Sequence, residues 1–358
     1  MKIYFYLLSA LVAVLLFTPS CQNGSADKRQ DASQDGDIGS SADEKVLYLY
    51  TFRHLPADDS LFEHFRQLTG IRVDVVQKGA GELLPLLRAG GLQPPPNVVI
   101  LPEVAMAVRA KEEGLLQLYH LPGIDQYVKA KMQDDYGYWT GLTIQLPVIA
   151  YASGRVEPKG LDSFFGLAET RWKGRLLAPG ADDPYLQSLV ASIIINNGEQ
   201  ATRKWARGVA ANFARPPQGS GLDQLKALGA GQGDVAIANA SDLGYLRFPA
   251  THAEYVLGQD TRLIIPFNGD YNHINATCAV VPKGADTYMA AQLIEFLTSS
   301  QAQQSYPAAT HENPVNVMGI PSDFSIEEVG GIKEDPISLN QLAAYNQLAV
   351  QILRESGW

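Results

Sequence analysis

The apolar and polar positions of this 358-residue chain fall into an alternating beat of strands and helices. Val46-Leu47-Tyr48-Leu49-Tyr50 is a short β-prone run. From Asp59 to Leu68, Leu61, Phe62 and Phe65 share one face at helical spacing, and Gly70 stops the helix. Ile71 to Val76 alternates as a strand, Glu82 to Leu87 reads as helix, and Gly90-Gly91 with Pro94-Pro95-Pro96 predicts a turn. Asn97 to Leu101 is continuously apolar, as in a strand covered on both faces. Strand–helix–strand–helix–strand is the order of an open α/β sheet. The same beat returns in Leu186 to Asn196 (helix), Val235 to Asn239 (strand) and Met289 to Ser299 (helix). Gly141 to Tyr151 is long enough to run from one sheet into a second, and Leu263 to Phe267 could carry the chain back. The expected architecture is therefore two α/β lobes with a ligand cleft between them, beyond the carboxyl ends of strands.

The first residues follow another rule. Lys2 precedes an apolar run from Ile3 to Phe17, and Thr18-Pro19-Ser20-Cys21 follows. A positive start, an apolar stretch too short to span a bilayer and a small residue before the cut are the parts of a secretory signal. A cysteine at the cut resembles bacterial lipoprotein leaders, with Pro19 making the recognition box irregular; a plain signal peptide with an incidental Cys21 is the alternative. If Cys21 carries lipid, residues 22–45, nearly devoid of large apolar side chains, form a flexible tether between membrane and body. Cys278 is then the only thiol in the body, so no internal disulfide is expected.

That body, about 310 residues, is large enough for two lobes: 46–145 plus 268–320, and 146–267 plus 321–358. A formal net charge of −10 argues against nucleic acid, whose phosphates call for a basic surface. No P-loop, dinucleotide fingerprint, nucleophile elbow or His/Cys zinc spacing is present, so nothing points to an enzyme. Tyr136-Gly137-Tyr138-Trp139 is an aromatic cluster that packs a turn or stacks on an organic ligand at the cleft rim.

Several stretches resemble one family, the periplasmic ferric-iron-binding subunits of bacterial ABC transporters, within the class II solute-binding fold. They are Leu49 to His54, Leu68 to Val73, Arg215-Pro216-Pro217-Gln218-Gly219, Gly233 to Asn239, Asn313-Pro314-Val315-Asn316 and Glu355 to Trp358, in family order across the body. The resemblance implies a two-lobed α/β binding protein of the periplasmic type II fold. It would be a monomer that closes around a small solute and delivers it to a permease and its ATPase. It further implies Fe(III) with a small synergistic anion, and metal ligands His54, Glu103, Tyr151 and Asp242.

This chain departs from the family at two places. Ser241 and Asp242 stand where the family has adjacent tyrosines, and Gly141 to Pro147 lacks the basic residues many members carry there. Asp242 still offers an oxygen to a hard cation. For an anion, Ser188, Ser220, Ser241, Asn239 and Arg53 are the candidate donors. The lost tyrosines leave a second reading open, an organic or oxyanionic solute bound without metal.

Overall fold

The computed structural model describes residues 44–248, 252–268, 270–319 and 332–358. The signal at 1–21, Cys21 and the tether up to residue 43 lie outside the described residues. The folded body starts slightly before the expected residue 46: Glu44 pairs with Arg72 and Lys45 already opens the first strand.

The strands are β1 (Lys45–Thr51), β2 (Ile71–Gln77), β3 (Val98–Leu101), β4 (Trp139–Gln145), β5 (Pro147–Ala152), β6 (Leu176–Leu177), β7 (Val235–Asn239), β8 (Thr261–Ile264), β9 (Asn275–Val280) and β10 (Asn313–Pro314). The helices are α1 (Pro56–Thr69), α2 (Leu83–Ala89), α3 (Val104–Glu112), α4 (Pro184–Asn197), α5 (Glu199–Ala210), α6 (Gly221–Gly229), α7 (Ala240–Arg247), α8 (His252–Gly258), α9 (Thr287–Thr298), α10 (Tyr306–Thr310) and α11 (Leu339–Glu355). The predicted strands and helices form with shifts of a few residues at their ends. Local chemistry explains the boundaries: Pro56 opens α1, and Gly70, at φ 71°, closes it by donating its N–H to the Arg66 carbonyl.

Among the described residues the strands form two sheets, ordered β10-β4-β9-β3-β1-β2 and β6-β7-β5-β8. The first is mixed: β1 is parallel to β2 and β3, whereas β9 runs antiparallel to both β3 and β4. Both predicted crossings exist. β4 belongs to the first sheet and β5 to the second, with Leu146 alone between them; residues 265–274 return the chain from β8 to β9. Buried Leu47, Leu49, Ile100 and Leu142 fill the first half, and Ile149, Leu177 and Ile237 the second. Each fully buried side chain of this kind contributes about 1.5–3 kcal/mol. Cys278, in the middle of β9, is fully buried, forms no disulfide and donates its thiol to the Glu103 carbonyl at 3.9 Å. The C-terminal helix is less simply placed than the expected 321–358 assignment to the second lobe: α11 packs on α4 and α5 but also on α3 of the first half.

Candidate functional site

The site is built where the two sheets meet. β1 ends at Thr51, whose Oγ1 accepts from the Arg53 N–H at 3.3 Å and donates to the Arg53 carbonyl at 2.9 Å, fixing a turn. From it the Arg53 guanidinium reaches Glu312, donating Nη1 to Oε1 at 2.6 Å and Nη2 to Oε2 at 2.7 Å. Glu312 lies one residue before β10 and is held further by Thr143 and by Gln145 Nε2 at 3.2 Å, both on β4. Burial works against the Arg53 charge, yet the Glu312 carboxylate more than offsets it and leaves the guanidinium pKa well above its ordinary value. This is a buried, bidentate, hydrogen-bonded pair. Two buried polar atoms there have no protein partner, Arg53 Nε and Gln145 Oε1.

Three phenols surround the pair. Tyr185, in the first turn of α4, is within hydrogen-bonding reach of Gln145 and is pushed well above the usual tyrosine range by burial and by Glu312. Tyr245 on α7 and Tyr306 at the start of α10 are each pushed up to about 12, chiefly by burial and opposed by Arg53. The second half adds carboxylates. Asp242 accepts from the Asn239 N–H at 2.8 Å while the Asn239 side chain accepts in return, a capping box for α7. Burial, with Asp183, Glu312 and Asp223 nearby, raises Asp242 to about 7. Asp183 caps α4 by accepting from the Leu186 N–H at 2.8 Å, and burial raises it to about 6.

The four expected metal ligands do not converge. His54 turns toward α1 and pairs with Asp59 at 2.9 Å, lining a groove of about 550 Å³ between α1 and edge strand β2. Glu103 is buried as the cap of α3, accepting from Ala105 and Met106 N–H groups, and burial raises it to about 7. Tyr151 pairs with Val235, four residues along β5 from the Pro147–Asn239 end, or about 13 Å away at strand rise. Among the described residues no three His, Cys, Asp or Glu side chains are grouped to hold an ion. Asp242 and Arg53 both lie close to Tyr245, whose phenol feels both charges. Asn239 borders a small void with Pro147, Asp183, Tyr185 and Gly221.

The anion candidates also divide. Ser220 caps α6 and bonds Asp223, and Ser241 starts α7. Ser188 is buried, accepting from Asn275 and bonded to His273 Nε2 at 3.1 Å, while His273 Nδ1 meets Asp335 at 3.2 Å. Although the order serine–histidine–aspartate matches a nucleophilic relay, all three are buried, and Ser188 lines none of the grooves described here. It is a structural network joining α4 to the second crossing.

Sequence reasoning missed Tyr185, Tyr245, Tyr306 and Glu312. One signal was available: Tyr185 precedes Ser188 by three residues, so it shares the junction-facing side of α4.

The model of the bacterial extracellular solute-binding proteins matches residues 56–307. The chain belongs to that family. Its sequence is 32% identical over 318 residues to iron uptake protein A1 of Synechocystis, covering 88% of each chain. A Trichodesmium protein solved with iron and citrate superposes with a TM-score of 0.80 at 28% identity, over 87% of this chain and 99% of that one. The ferric binding protein of Campylobacter jejuni does so with a TM-score of 0.81, again at 28% identity and with the same coverage. The two-lobed solute-binding fold is thereby established, and these relatives are named as uptake and binding proteins rather than enzymes.

Proposed function

We propose that this chain is the ferric-iron-binding component of a bacterial ABC importer, taking its cargo at the junction of the two sheets. The observation that carries the reading is the gathering of three phenols (Tyr185, Tyr245, Tyr306) and a raised carboxyl (Asp242) around the buried Arg53–Glu312 pair. Hard oxygen donors of this kind suit a hard cation, and the kinship with iron uptake proteins supports the same cargo. The phenols stand in for the tyrosine pair replaced by Ser241 and Asp242. Their raised pKa values keep them neutral before loading, so binding iron displaces protons. A small anion fits beside Arg53, whose Nε has no protein partner.

In this reading the halves close by pivoting at Leu146 and at residues 265–274, with cargo contacts from both favouring the closed form. Cys21 carries the lipid that anchors the body on the periplasmic side of the envelope, near the permease and ATPase that receive the iron. The test is a titration of the purified protein with ferric nitrilotriacetate. A visible phenolate-to-iron band should grow to one equivalent. Tyr185→Phe should weaken binding beyond the 10–100-fold typical of losing a mere outer partner. A colourless titration with no saturation would sink the iron reading.

A further inference from the structure

His311 closes α10 in a backbone conformation uncommon for a residue with a side chain. It lies between α10 and β10, both in the first half, with its backbone in the left-handed region at φ 54° and ψ 25°. Its N–H caps the helix by donating to the Ala308 and Pro307 carbonyls. The surroundings of its side chain belong to the other half. The imidazole stands edge-on to the Tyr245 ring at 5.0 Å and stacks on Phe248 at 5.7 Å, with 13° between the planes. Beneath it α7 carries Gly244, where a Cβ would fall 2.4 Å from His311 Cγ and 2.5 Å from its Cβ. Only glycine leaves room for that ring. Tyr245, the ring it touches, is one of the phenols beside Arg53 and Glu312. Glu312 itself is the next residue in the chain.

We propose that His311 is a latch between the halves: seated in the notch at Gly244, it holds α7 against the first half and positions Tyr245 in the site. It is a positioning residue and not a ligand. Because the two-residue link between Thr310 and Asn313 consists of His311 and Glu312, seating the ring and presenting the Arg53 partner are one movement. Each aromatic pair of this geometry shifts the balance between seated and free states by roughly two- to tenfold. The latch therefore favours the seated arrangement before cargo arrives, and a cargo that uses Tyr245 meets a phenol already in position.

The role of Tyr245 in cargo binding rests on the proposed function; the latch does not. The test uses the full chain with His311→Asn, which tolerates the left-handed backbone but removes the aromatic ring, and Gly244→Ala, which fills the notch. Backbone hydrogen exchange without cargo should quicken about tenfold across residues 240–247 in both variants, with β1, β3 and β9 unchanged. In the double variant the two effects should not add, since both remove one interaction. Ferric nitrilotriacetate should bind each single variant roughly tenfold more weakly, with Tyr245→Phe costing less in the His311→Asn background. Unchanged exchange across α7, or additive effects, would overturn the latch whatever the cargo. A parent protein that binds no iron while its variants still loosen α7 would instead overturn the cargo reading and leave the latch standing.

Discussion

The two walls of the sheet junction hold their charges in opposite ways. On the first wall Glu312 has a bidentate arginine, a threonine and a glutamine, and both terminal nitrogens of its cationic partner are engaged. On the second, Asp183 and Asp242 are satisfied by helix-capping N–H groups, and neither has an ion pair among the described residues. Their pKa values rise to about 6 and about 7 accordingly. A wall already neutralised gains little from an arriving cation. A wall of raised carboxyls gains much, because the ion removes the cost of their ionisation. The Arg53–Glu312 pair is thus read as scaffold, and the raised carboxyls facing it as the groups that gain most from a cation.

The largest expected effect would break the first wall. Glu312→Ala leaves the Arg53 guanidinium buried without its carboxylate and should lower stability by about 3–5 kcal/mol, measured by urea unfolding. A loss below about 1 kcal/mol would show that solvent reaches Arg53 freely and that the contrast is overstated.

A smaller effect sharpens the second wall. Burial raises the Asp242 carboxyl from 3.8 to about 7, so the folded chain holds that proton more tightly than the unfolded one. The resulting stability is complete below pH 3.8 and is lost as pH rises through about 7. Asp242→Asn keeps an oxygen for the cap but cannot ionise. It should flatten the stability profile between those limits and gain about 1 kcal/mol at pH 8 after allowance for solvent screening. Cation affinity should fall in the same variant. Thermal unfolding across pH checks it, and a profile parallel to the parent's would remove Asp242 from the wall.

The smallest effect concerns a residue outside both walls. His54→Ala should change stability by less than about 0.5 kcal/mol, because its pair with Asp59 is largely solvated. Iron affinity should not change. A tenfold loss in a ferric titration would return the imidazole to the site.

Much of the fold is legible in the residues because strands and helices announce themselves locally. Gly70, Pro56 and the apolar run before Leu101 each act within a few positions. The crossings were legible too, since β4 and β5 together are too long and too apolar for one loop. Membership of the site was not. Arg53 and Glu312 are 259 positions apart, and no local rule links them. His54 follows directly after Arg53, yet the turn at Thr51 sends one side chain inward and the other toward α1. Asp242 was found because it stands where the resembled family carries a tyrosine, three residues past the strand end at Asn239. Tyr306 was missed because a buried phenol in a short helix reads as ordinary core.

Cys278 turns its place in β9 into a natural reporter. With its thiol hidden between β3 and β4 and its pKa driven well upward by burial, it has almost no thiolate to offer while the sheet is intact. Alkylation at that sulfur, followed by peptide mapping, therefore clocks how often the centre of the first sheet comes apart.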